Sequence, residues 1–368
     1  MRRLLVTGGA GFIGANFAHY WRRQHPGDAM WVLDSLTYAG NRASLNDIEG
    51  DPGFRFIHGD IRDTPLVRKL LAEGKIDTIV HFAAESHVDR SILGPEAFID
   101  TNIGGTHSLL MAARQVWIEE LKIGAACRFH HVSTDEVYGT LGPGDPAFTE
   151  TTPYAPNSPY AASKAGSDHL VRAYHHTYGL NVTTSNCTNN YGPYQFPEKL
   201  IPLLLVNMFE GKPLPIYGDG RNVRDWLFVT DHCWGIELAI ERGKPGETYN
   251  LGGNCERANI DIVRQLCLLV DETFAADPAM KRRFPTAPPA HGKSCDGLIT
   301  FVGDRPGHDL RYAADTSKSA RELGYRPRES LESGLKRTVD WYVANEPWWR
   351  AILSGNYRQW VERQYAVR

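Results

Sequence analysis

The sequence predicts an α/β protein with a Rossmann-type, doubly wound parallel sheet and a smaller C-terminal substrate-binding lobe. Over the first half of the chain, short β-rich runs alternate with helix-length segments, a pattern typical of a parallel sheet with helices on both faces. A glycine-rich turn follows the first of these runs. After about residue 186 the alternation gives way to segments punctuated by proline and glycine, which indicates a second lobe.

The alternating segments define the order of the predicted elements. We predict strands at residues 3–7, 30–34, 54–58, 78–82 and 128–133, and helices at residues 13–24, 64–73 and 101–120. We place the first domain at residues 1–186 and the second lobe at residues 187–368. Residues 224–242 and 247–251 look like a helix and a strand, so we expect residues 224–251 to rejoin the first domain. Residues 274–297 carry four prolines, and we expect a loose insertion there.

The charge and the spacing of cysteine and histidine exclude several classes of protein. A net charge of −3 leaves no basic excess, so we expect no nucleic-acid partner. The six cysteines have no paired CxxC spacing, and the histidine pairs at residues 130–131 and 175–176 form no HExxH motif. We therefore expect neither a disulfide framework nor a metal site.

The longest apolar stretch, residues 200–209, is far shorter than the ~20 residues of a membrane span. With no signal segment at its start, the chain is expected to be cytoplasmic, with no membrane partner.

Three glycines after the first predicted strand indicate a dinucleotide site. Gly8, Gly11 and Gly14 have a GxxGxxG spacing and open a helix. Glycine lets the backbone approach a pyrophosphate, and the helix N-terminus favours its negative charge. Asp34 ends the second strand 20 residues beyond Gly14, where a carboxylate binds the adenosine ribose and repels a 2′-phosphate. We therefore expect NAD rather than NADP.

A tyrosine and a lysine four residues apart predict an acid-base group. Tyr160 and Lys164 would lie on one face of a helix, about one turn apart. A tyrosine with an unperturbed pKa of ~10 is a poor base at neutral pH, but a nearby cation favours its phenolate. The same spacing also fits an amphipathic helix with a packed tyrosine and a solvated lysine.

Two adjacent acids close the fifth predicted strand. Thr134, Asp135 and Glu136 follow one another there, and the threonine can hydrogen-bond a substrate hydroxyl. An alcohol oxidation alone does not need two acids, so they suggest a second acid-base step. In that step one carboxyl would be ionised and the other protonated, because like charges in a shielded site push their pKa values apart. A pair of solvated loop acids is an equally good interpretation of this stretch.

Together these motifs resemble the extended short-chain dehydrogenase/reductases, and longer stretches are similar to the dTDP-glucose 4,6-dehydratases in particular. The stretches that carry this resemblance are residues 81–91, 134–136, 189–194, 197–200, 215–218, 224–226 and 304–309. The glycine and YxxxK motifs specify only the superfamily, whereas residues 134–136 and 305–309 are much more specific. The chain departs from the family at residues 274–297, which look longer than the corresponding segment.

The resemblance implies an NAD-binding first domain and a sugar-nucleotide-binding second lobe. By this resemblance the residues in contact with NAD would be Phe12, Ile13, Asp34, Asp60, Ile61, Thr101, Tyr160, Lys164 and Asn190. The residues that hold the sugar nucleotide would be Ser86, Thr134, Asn189, Lys199, Leu200, Pro215, Tyr217, Arg224, Asn259, Arg305 and His308. The cations among them suit a diphosphate, since guanidinium groups bind phosphate in a bidentate manner.

The resemblance also implies a mechanism. Tyr160 would deprotonate the sugar 4-hydroxyl, which Thr134 orients, while hydride passes from C4 to NAD. Glu136 would then remove the C5 proton, and Asp135 would protonate the departing C6 hydroxyl before hydride returns to C6. The product would be a 4-keto-6-deoxy sugar nucleotide, with dTDP-glucose as the expected substrate.

Other functions share parts of this pattern. A UDP-sugar 4-epimerase or decarboxylase, or a 4,6-dehydratase acting on another nucleotide sugar, would share the glycines, Tyr160 and Lys164. The Asp135-Glu136 pair argues against the first two. A non-catalytic NAD-sensing protein would tolerate loss of Tyr160 or Lys164, and both are present. The sequence does not decide which nucleotide base the substrate carries.

We also expect a homodimer, in which the predicted helices at residues 101–120 and 160–178 pair across a two-fold axis.

Overall fold

The computed structural model describes residues 1–304 and 308–354, and its largest feature is a parallel sheet. The strands are β1 (Arg3–Thr7), β2 (Ala29–Asp34), β3 (Phe54–His58), β4 (Thr78–His81), β5 (Arg128–Thr134), β6 (Val182–Cys187), β7 (Asn189–Tyr191), β8 (Leu214–Tyr217), β9 (Val223–Phe228), β10 (Thr248–Leu251), β11 (Glu256–Ala258) and β12 (Ile299–Val302). Seven of them form the main sheet in the order β3-β2-β1-β4-β5-β6-β10, and every pairing is parallel. The strand order reverses between β1 and β4, which is where an open α/β sheet binds its ligand.

Helices cover both faces of this sheet. The helices are α1 (Phe12–Gln24), α2 (Thr64–Glu73), α3 (Val88–Leu93), α4 (Glu96–Phe98), α5 (Thr106–Ala113), α6 (Pro159–Tyr178), α7 (Leu200–Glu210), α8 (Val229–Arg242), α9 (Asn259–Ala276), α10 (Ala279–Arg283), α11 (Ser317–Leu323), α12 (Leu331–Ala344) and α13 (Glu346–Leu353). Alternate residues of β1 face opposite layers: Leu4 and Val6 pack with α1 and α8, and Leu5 packs with α2, α5 and α6. This alternation is the two-residue period of a strand. Of the described helices, none combines the length and the apolar character needed to cross a membrane.

Local signals explain where α6 begins and ends. Ser158 precedes the helix and its Oγ accepts a hydrogen bond from the Ala161 amide at 3.1 Å, and Pro159 occupies the first turn. Gly179 ends the helix with φ of 70°, a left-handed conformation that favours glycine. The 20-residue helix between these caps carries Tyr160 and Lys164.

The second lobe has its own core. Two smaller sheets, with orders β11-β9-β7 and β12-β8, pack with α7, α9, α12 and α13. The chain also returns to the main sheet twice. β10 pairs with β6, and α11 packs against β10 and α8. The two regions are therefore interleaved along the sequence after residue 187.

Three predicted elements differ from the structure. The predicted helix at residues 224–242 was wrong at its start, because Val223–Phe228 is the buried strand β9 and the helix begins at Val229. A short apolar run does not distinguish a buried strand from a helix by its periodicity. The predicted helix at residues 101–120 is part of a longer one that starts at Glu96 and winds with π-type hydrogen bonds at Ile99–Gly105 and Arg114–Glu120.

The third difference concerns residues 274–297, which are not a loose insertion. Phe274 belongs to α9, and Met280, Phe284 and Cys295 are buried in the core of the lobe. The Phe284 ring stacks on Phe209 with 4.7 Å between centroids. The four prolines therefore separate short helical turns that pack inward.

Candidate active site

One cleft at the carboxyl ends of β1, β4, β5 and β6 gathers most of the predicted site residues. The residues of the predicted sets that line it are Gly8, Gly11, Phe12, Ile13, Gly14, Asp34, Asp60, Ile61, Ser86, Thr101, Thr134, Asp135, Glu136, Tyr160, Lys164, Asn189, Asn190, Lys199 and Leu200. They come from both lobes. Parallel strands end at one edge of the sheet, so residues far apart in the chain meet there.

The glycine turn packs so closely against neighbouring backbone that two of its positions have no space for a side chain. Gly8 has φ of +70°, and a Cβ there would lie 2.6 Å from the Ala83 amide nitrogen. A Cβ on Gly14 would lie 2.2 Å from the carbonyl oxygen of Gly8. Gly11 immediately precedes α1, so the first amides of this helix point toward the cleft with no capping side chain between them and a ligand. This arrangement is a cradle for a pyrophosphate.

Asp34 is held rigidly at the end of β2. Its Oδ2 accepts a hydrogen bond from the Ala10 amide at 2.9 Å and its Oδ1 accepts one from the Leu36 amide at 2.8 Å. Burial raises the pKa of Asp34, and these two hydrogen bonds oppose the rise. Each oxygen keeps a lone pair for the ribose hydroxyls. Asp60, which also lines the cleft, forms an ion pair with Arg62 at 2.6 Å. Its carboxylate therefore stabilises the turn that follows β3.

The two adjacent acids have different surroundings. The chain turns tightly after β5, and Thr134 Oγ1 accepts a hydrogen bond from the Glu136 amide at 3.3 Å. Asp135 is only 2% exposed, and its Oδ2 has no hydrogen-bond partner among the described residues. Burial, followed by the charges of Glu136 and Asp225, raises the pKa of Asp135 well above its usual value. Burial and these charges favour the protonated form of Asp135, and the described residues leave its Oδ2 available to a ligand.

Tyr160 and Lys164 both line the cleft, and burial has a large effect on the pKa of Tyr160. Lys164 Nζ donates a hydrogen bond to the Val132 carbonyl oxygen at 2.9 Å rather than to the phenol. Burial, followed by the charge of Glu136, raises the pKa of Tyr160 well above its usual value, and a hydrogen bond with Thr134 only partly opposes the rise. Burial is therefore the largest influence on the protonation of Tyr160.

Lys199 and Ser86, two of the residues predicted to bind the sugar nucleotide, connect the two lobes at the cleft. Lys199 Nζ, just before α7, donates a hydrogen bond to the Ser86 carbonyl oxygen at 3.0 Å. Asn189 stands on β7 with its Oδ1 buried and unpartnered within the described part of the chain. An unpaired buried acceptor is costly without a ligand, so this position fits a substrate hydroxyl.

The other predicted substrate residues stand outside the cleft wall. Pro215, Tyr217, Arg224, Asn259 and His308 do not line it, and Arg305 lies outside the described residues. Tyr217 and His308 meet edge to face with 6.0 Å between centroids. Arg224 donates to the carbonyl oxygens of Val223 at 2.7 Å and Asp309 at 2.9 Å, and its charge lowers the pKa of Asp135. Within this second group, Arg224 is thus close enough to the cleft to act on Asp135.

The cleft also contains residues that the sequence analysis did not single out. Glu85, Glu198 and Trp226 line it. Glu198 lies 3.6 Å from Arg90 Nε, and burial raises the pKa of Glu198 to about 7. Glu85 and Glu198 lie in stretches that carry the family resemblance, at residues 81–91 and 197–200. That resemblance was the feature of the sequence from which they could have been identified as site residues. Neither forms a recognisable spacing with another acid.

Comparisons with known proteins agree over almost the whole chain. A family model described as GDP-mannose 4,6 dehydratase matches residues 5–338. A dTDP-glucose 4,6-dehydratase of Xanthomonas campestris pv. campestris is 54% identical over 97% of this chain and 98% of its own. One from Neisseria meningitidis serogroup B is 52% identical over 97% and 98%.

Solved structures give the same result. The dTDP-glucose 4,6-dehydratase of Streptomyces venezuelae, solved with NAD bound, has a TM-score of 0.83 and 48% identity, over 95% of this chain and 99% of its own. A UDP-glucose 4-epimerase of Thermotoga maritima has a TM-score of 0.77 but 26% identity. Because about half of the sequence is shared with dehydratases over nearly their full length, the chain belongs to the dTDP-glucose 4,6-dehydratase family.

Proposed function

We propose that this protein converts dTDP-glucose to dTDP-4-keto-6-deoxyglucose, with NAD as its cofactor. The observation that carries the proposal is the buried Asp135, with its unpartnered Oδ2 among the described residues, next to Glu136 in the same cleft as Tyr160. An epimerase or a simple dehydrogenase needs no second acid-base pair. The curated relatives, which share about half of this sequence, bear the same activity in their names.

The cleft fits NAD by its own geometry. The turn at Gly8 and Gly14 packs too tightly for a Cβ, the first amides of α1 point into the cleft, and Asp34 stands at the end of the neighbouring strand. Gly8, Gly11, Gly14 and Asp34 would therefore hold the pyrophosphate and the ribose. When bound, NAD supplies a hydride acceptor for C4, a hydride donor for C6 and the positive charge of its oxidised ring.

In the first half of the reaction, Tyr160 removes the proton of the sugar 4-hydroxyl. Thr134, which hydrogen-bonds Tyr160, orients that hydroxyl. Burial opposes the phenolate, so proton removal depends on positive charge in the site, from Lys164 and from the oxidised cofactor. The 4-ketone that forms acidifies the hydrogen on C5.

In the second half, the two acids divide the elimination between them. Glu136 takes the C5 proton as base, and neutral Asp135 gives its proton to the C6 hydroxyl, which leaves as water. The unused Oδ2 of Asp135 provides the atom for this contact. Adjacent acids in unlike surroundings thus supply one base and one acid at the same pH.

A substrate panel tests this proposal. The enzyme is incubated with dTDP-glucose, UDP-glucose or GDP-mannose, and strong alkali then develops the ultraviolet absorbance of any 4-keto sugar. We expect absorbance with dTDP-glucose well above that with the other two. Absorbance with UDP-glucose or GDP-mannose alone would reassign the nucleotide, and none with any substrate would contradict a dehydratase.

The proposal extends to a cytoplasmic homodimer. α3 and the helix that starts at α4 pack against α6, and on this side Leu93 is 79% exposed and Ile99 is 48% exposed. Exposed apolar residues that cluster on one side suit a subunit interface. The six cysteines are free thiols, which suits a reducing compartment.

A further inference from the structure

Asp168 lies one turn beyond Lys164 on α6, and the mechanism above gives it no role. Its side chain is buried, with 5% of the residue exposed. Its Oδ2 accepts hydrogen bonds from Ser133 Oγ at 2.8 Å and from Tyr154 Oη at 3.0 Å, and its Oδ1 lies 3.0 Å from Nε2 of His131. Three donors around one carboxyl group favour its ionised form.

Lys164 depends on this carboxylate for its charge. The lysine is 4% exposed, and its one hydrogen bond within the described residues goes to the neutral Val132 carbonyl. Burial lowers the pKa of Lys164, and the charge of Asp168 is the largest influence that opposes the fall. In return, burial raises the pKa of Asp168 to about 6 while Lys164 lowers it. The two buried charges stabilise each other.

The other titratable groups around this pair do not replace the carboxylate. They come from β4, β5, the turn after it, the segment before α6, α6 itself and β6, and they are His81, His131, Tyr138, Tyr154, His169 and Cys187. Burial, followed by the charges of His131 and Lys164, lowers the pKa of His81 well below its usual value, so His81 is neutral. Burial, followed by the charge of Lys164, lowers the pKa of His131 well below its usual value, so this imidazole is neutral. Burial raises the pKa of Tyr138, of Tyr154 and of Cys187, so these three are neutral as well. Asp168 is the carboxylate that faces Lys164 in this group.

Asp168 also joins the two elements that carry the catalytic groups. Ser133 stands on β5 directly before Thr134, and its hydroxyl binds a carboxylate on α6. α6 in turn carries Tyr160 and Lys164. A shift between strand and helix would therefore separate Thr134 from Tyr160, whose hydrogen bond the mechanism uses.

We propose that Asp168 is a positioning residue for the reaction, one that keeps Lys164 charged and ties the end of β5 to α6. The proposal rests on the proposed function, because the charge of Lys164 matters only if Tyr160 acts as the base. It assigns to Asp168 no contact with the substrate or with NAD.

The test is the pH profile of kcat/KM for Asp168→Asn. The proposal assigns the alkaline limb of this profile to loss of the Lys164 proton. Removing the negative charge lowers the pKa of Lys164, so the alkaline limb of the profile should move to lower pH by about one unit or more. Tyr154→Phe is the matched control, since it removes one hydrogen bond to Asp168 and leaves the charge. Its alkaline limb should stay where the wild type has it, whatever its effect on the rate.

The fold of each variant is checked by circular dichroism and by NAD binding. If an amide facing three donors prevents folding, Asp168→Ser leaves room for water and removes the same charge. A folded neutral variant with an unmoved alkaline limb, or an equal shift in Tyr154→Phe, would overturn the proposal. Failure of the wild type to form a 4-keto sugar would refute the proposed function instead, so the two failures are distinguishable.

Discussion

Asp135 and Glu136 show how neighbours in the chain acquire different chemistry. Asp135 is buried and Glu136 is only partly so, and the charge of Glu136 raises the pKa of both Asp135 and Tyr160. Burial is the largest cause of the raised pKa of Asp135, and a charge on Glu136 adds to it. That charge also opposes the phenolate on which the first step depends, so Glu136 affects both halves of the reaction.

Glu136→Gln should separate the two halves. Without the charge, the pKa of Tyr160 falls, so oxidation at C4 continues. The C5 base is lost, so elimination should slow by about 100- to 10,000-fold. Reduced nicotinamide should therefore accumulate on the enzyme after one substrate addition, as followed by its absorbance in single-turnover experiments.

Two further variants act as controls for this prediction. Asp135→Asn should also slow the loss of water, whereas Tyr160→Phe should prevent the accumulation of reduced nicotinamide. Near-normal formation of the 4-keto-6-deoxy product by both acid variants would show that the two carboxyl groups are solvated bystanders.

At the scale of elements, residues 274–297 are part of the lobe's core. Phe284 is 1% exposed, and it stacks on Phe209 at 4.7 Å and on Trp349 at 6.5 Å. The segment therefore brings the end of α9 and the C-terminal helix α13 together. Its prolines fix short turns and do not indicate a lack of packing.

Phe284→Ala should lower the free energy of unfolding by about 3–5 kcal/mol, because it opens a cavity in this core. Urea denaturation followed by fluorescence measures the change. Leu268→Ala is the matched control, since Leu268 is 63% exposed on α9, and it should change stability by less than about 0.5 kcal/mol. Equal effects of the two variants would contradict the packing described for this segment.

At the scale of the whole molecule, the two lobes share one site and an interleaved chain. The hydrogen bond from Lys199 to Ser86 crosses between them, and Trp348 Nε1 of α13 donates to Ser44 Oγ of the first domain at 3.1 Å. We propose a division at about residue 187, with residues 229–251 and 311–323 returning to the first domain. The cleft would then lie between the lobes, with residues of both lobes in its wall.

The proposed dimer is tested on the intact molecule. Light scattering at micromolar concentration should give twice the chain mass for the wild type. Leu93→Lys should shift the population toward monomer, because it places a charge in the apolar patch on α3. Leu268→Lys, on the exposed face of α9, should leave the mass unchanged. A wild-type monomer would contradict the proposal.

The positions of the first five strands of the main sheet and its dinucleotide turn could be predicted from the sequence. Strands β1 to β5 lie within one or two residues of the predicted ranges, because alternation between strands and helices is a local pattern. The glycine spacing and Asp34 predicted NAD for the same reason, since a tight turn and a strand end are defined by adjacent residues.

Only the tertiary structure decided the protonation of the site and its hidden contributors. Burial raises the pKa of Asp135 most. The charges of Glu136 and of Asp225, 90 residues further along the chain, add to the rise, while the charge of Arg224 opposes it. Asp168 and Glu198 form no recognisable motif, and their roles come from burial beside Lys164 and Arg90. Burial and charge depend on contacts between distant segments, and the spacing of residues along a chain does not specify those contacts. The sequence therefore determined which chemical groups this protein has, and the fold determined which of them are charged.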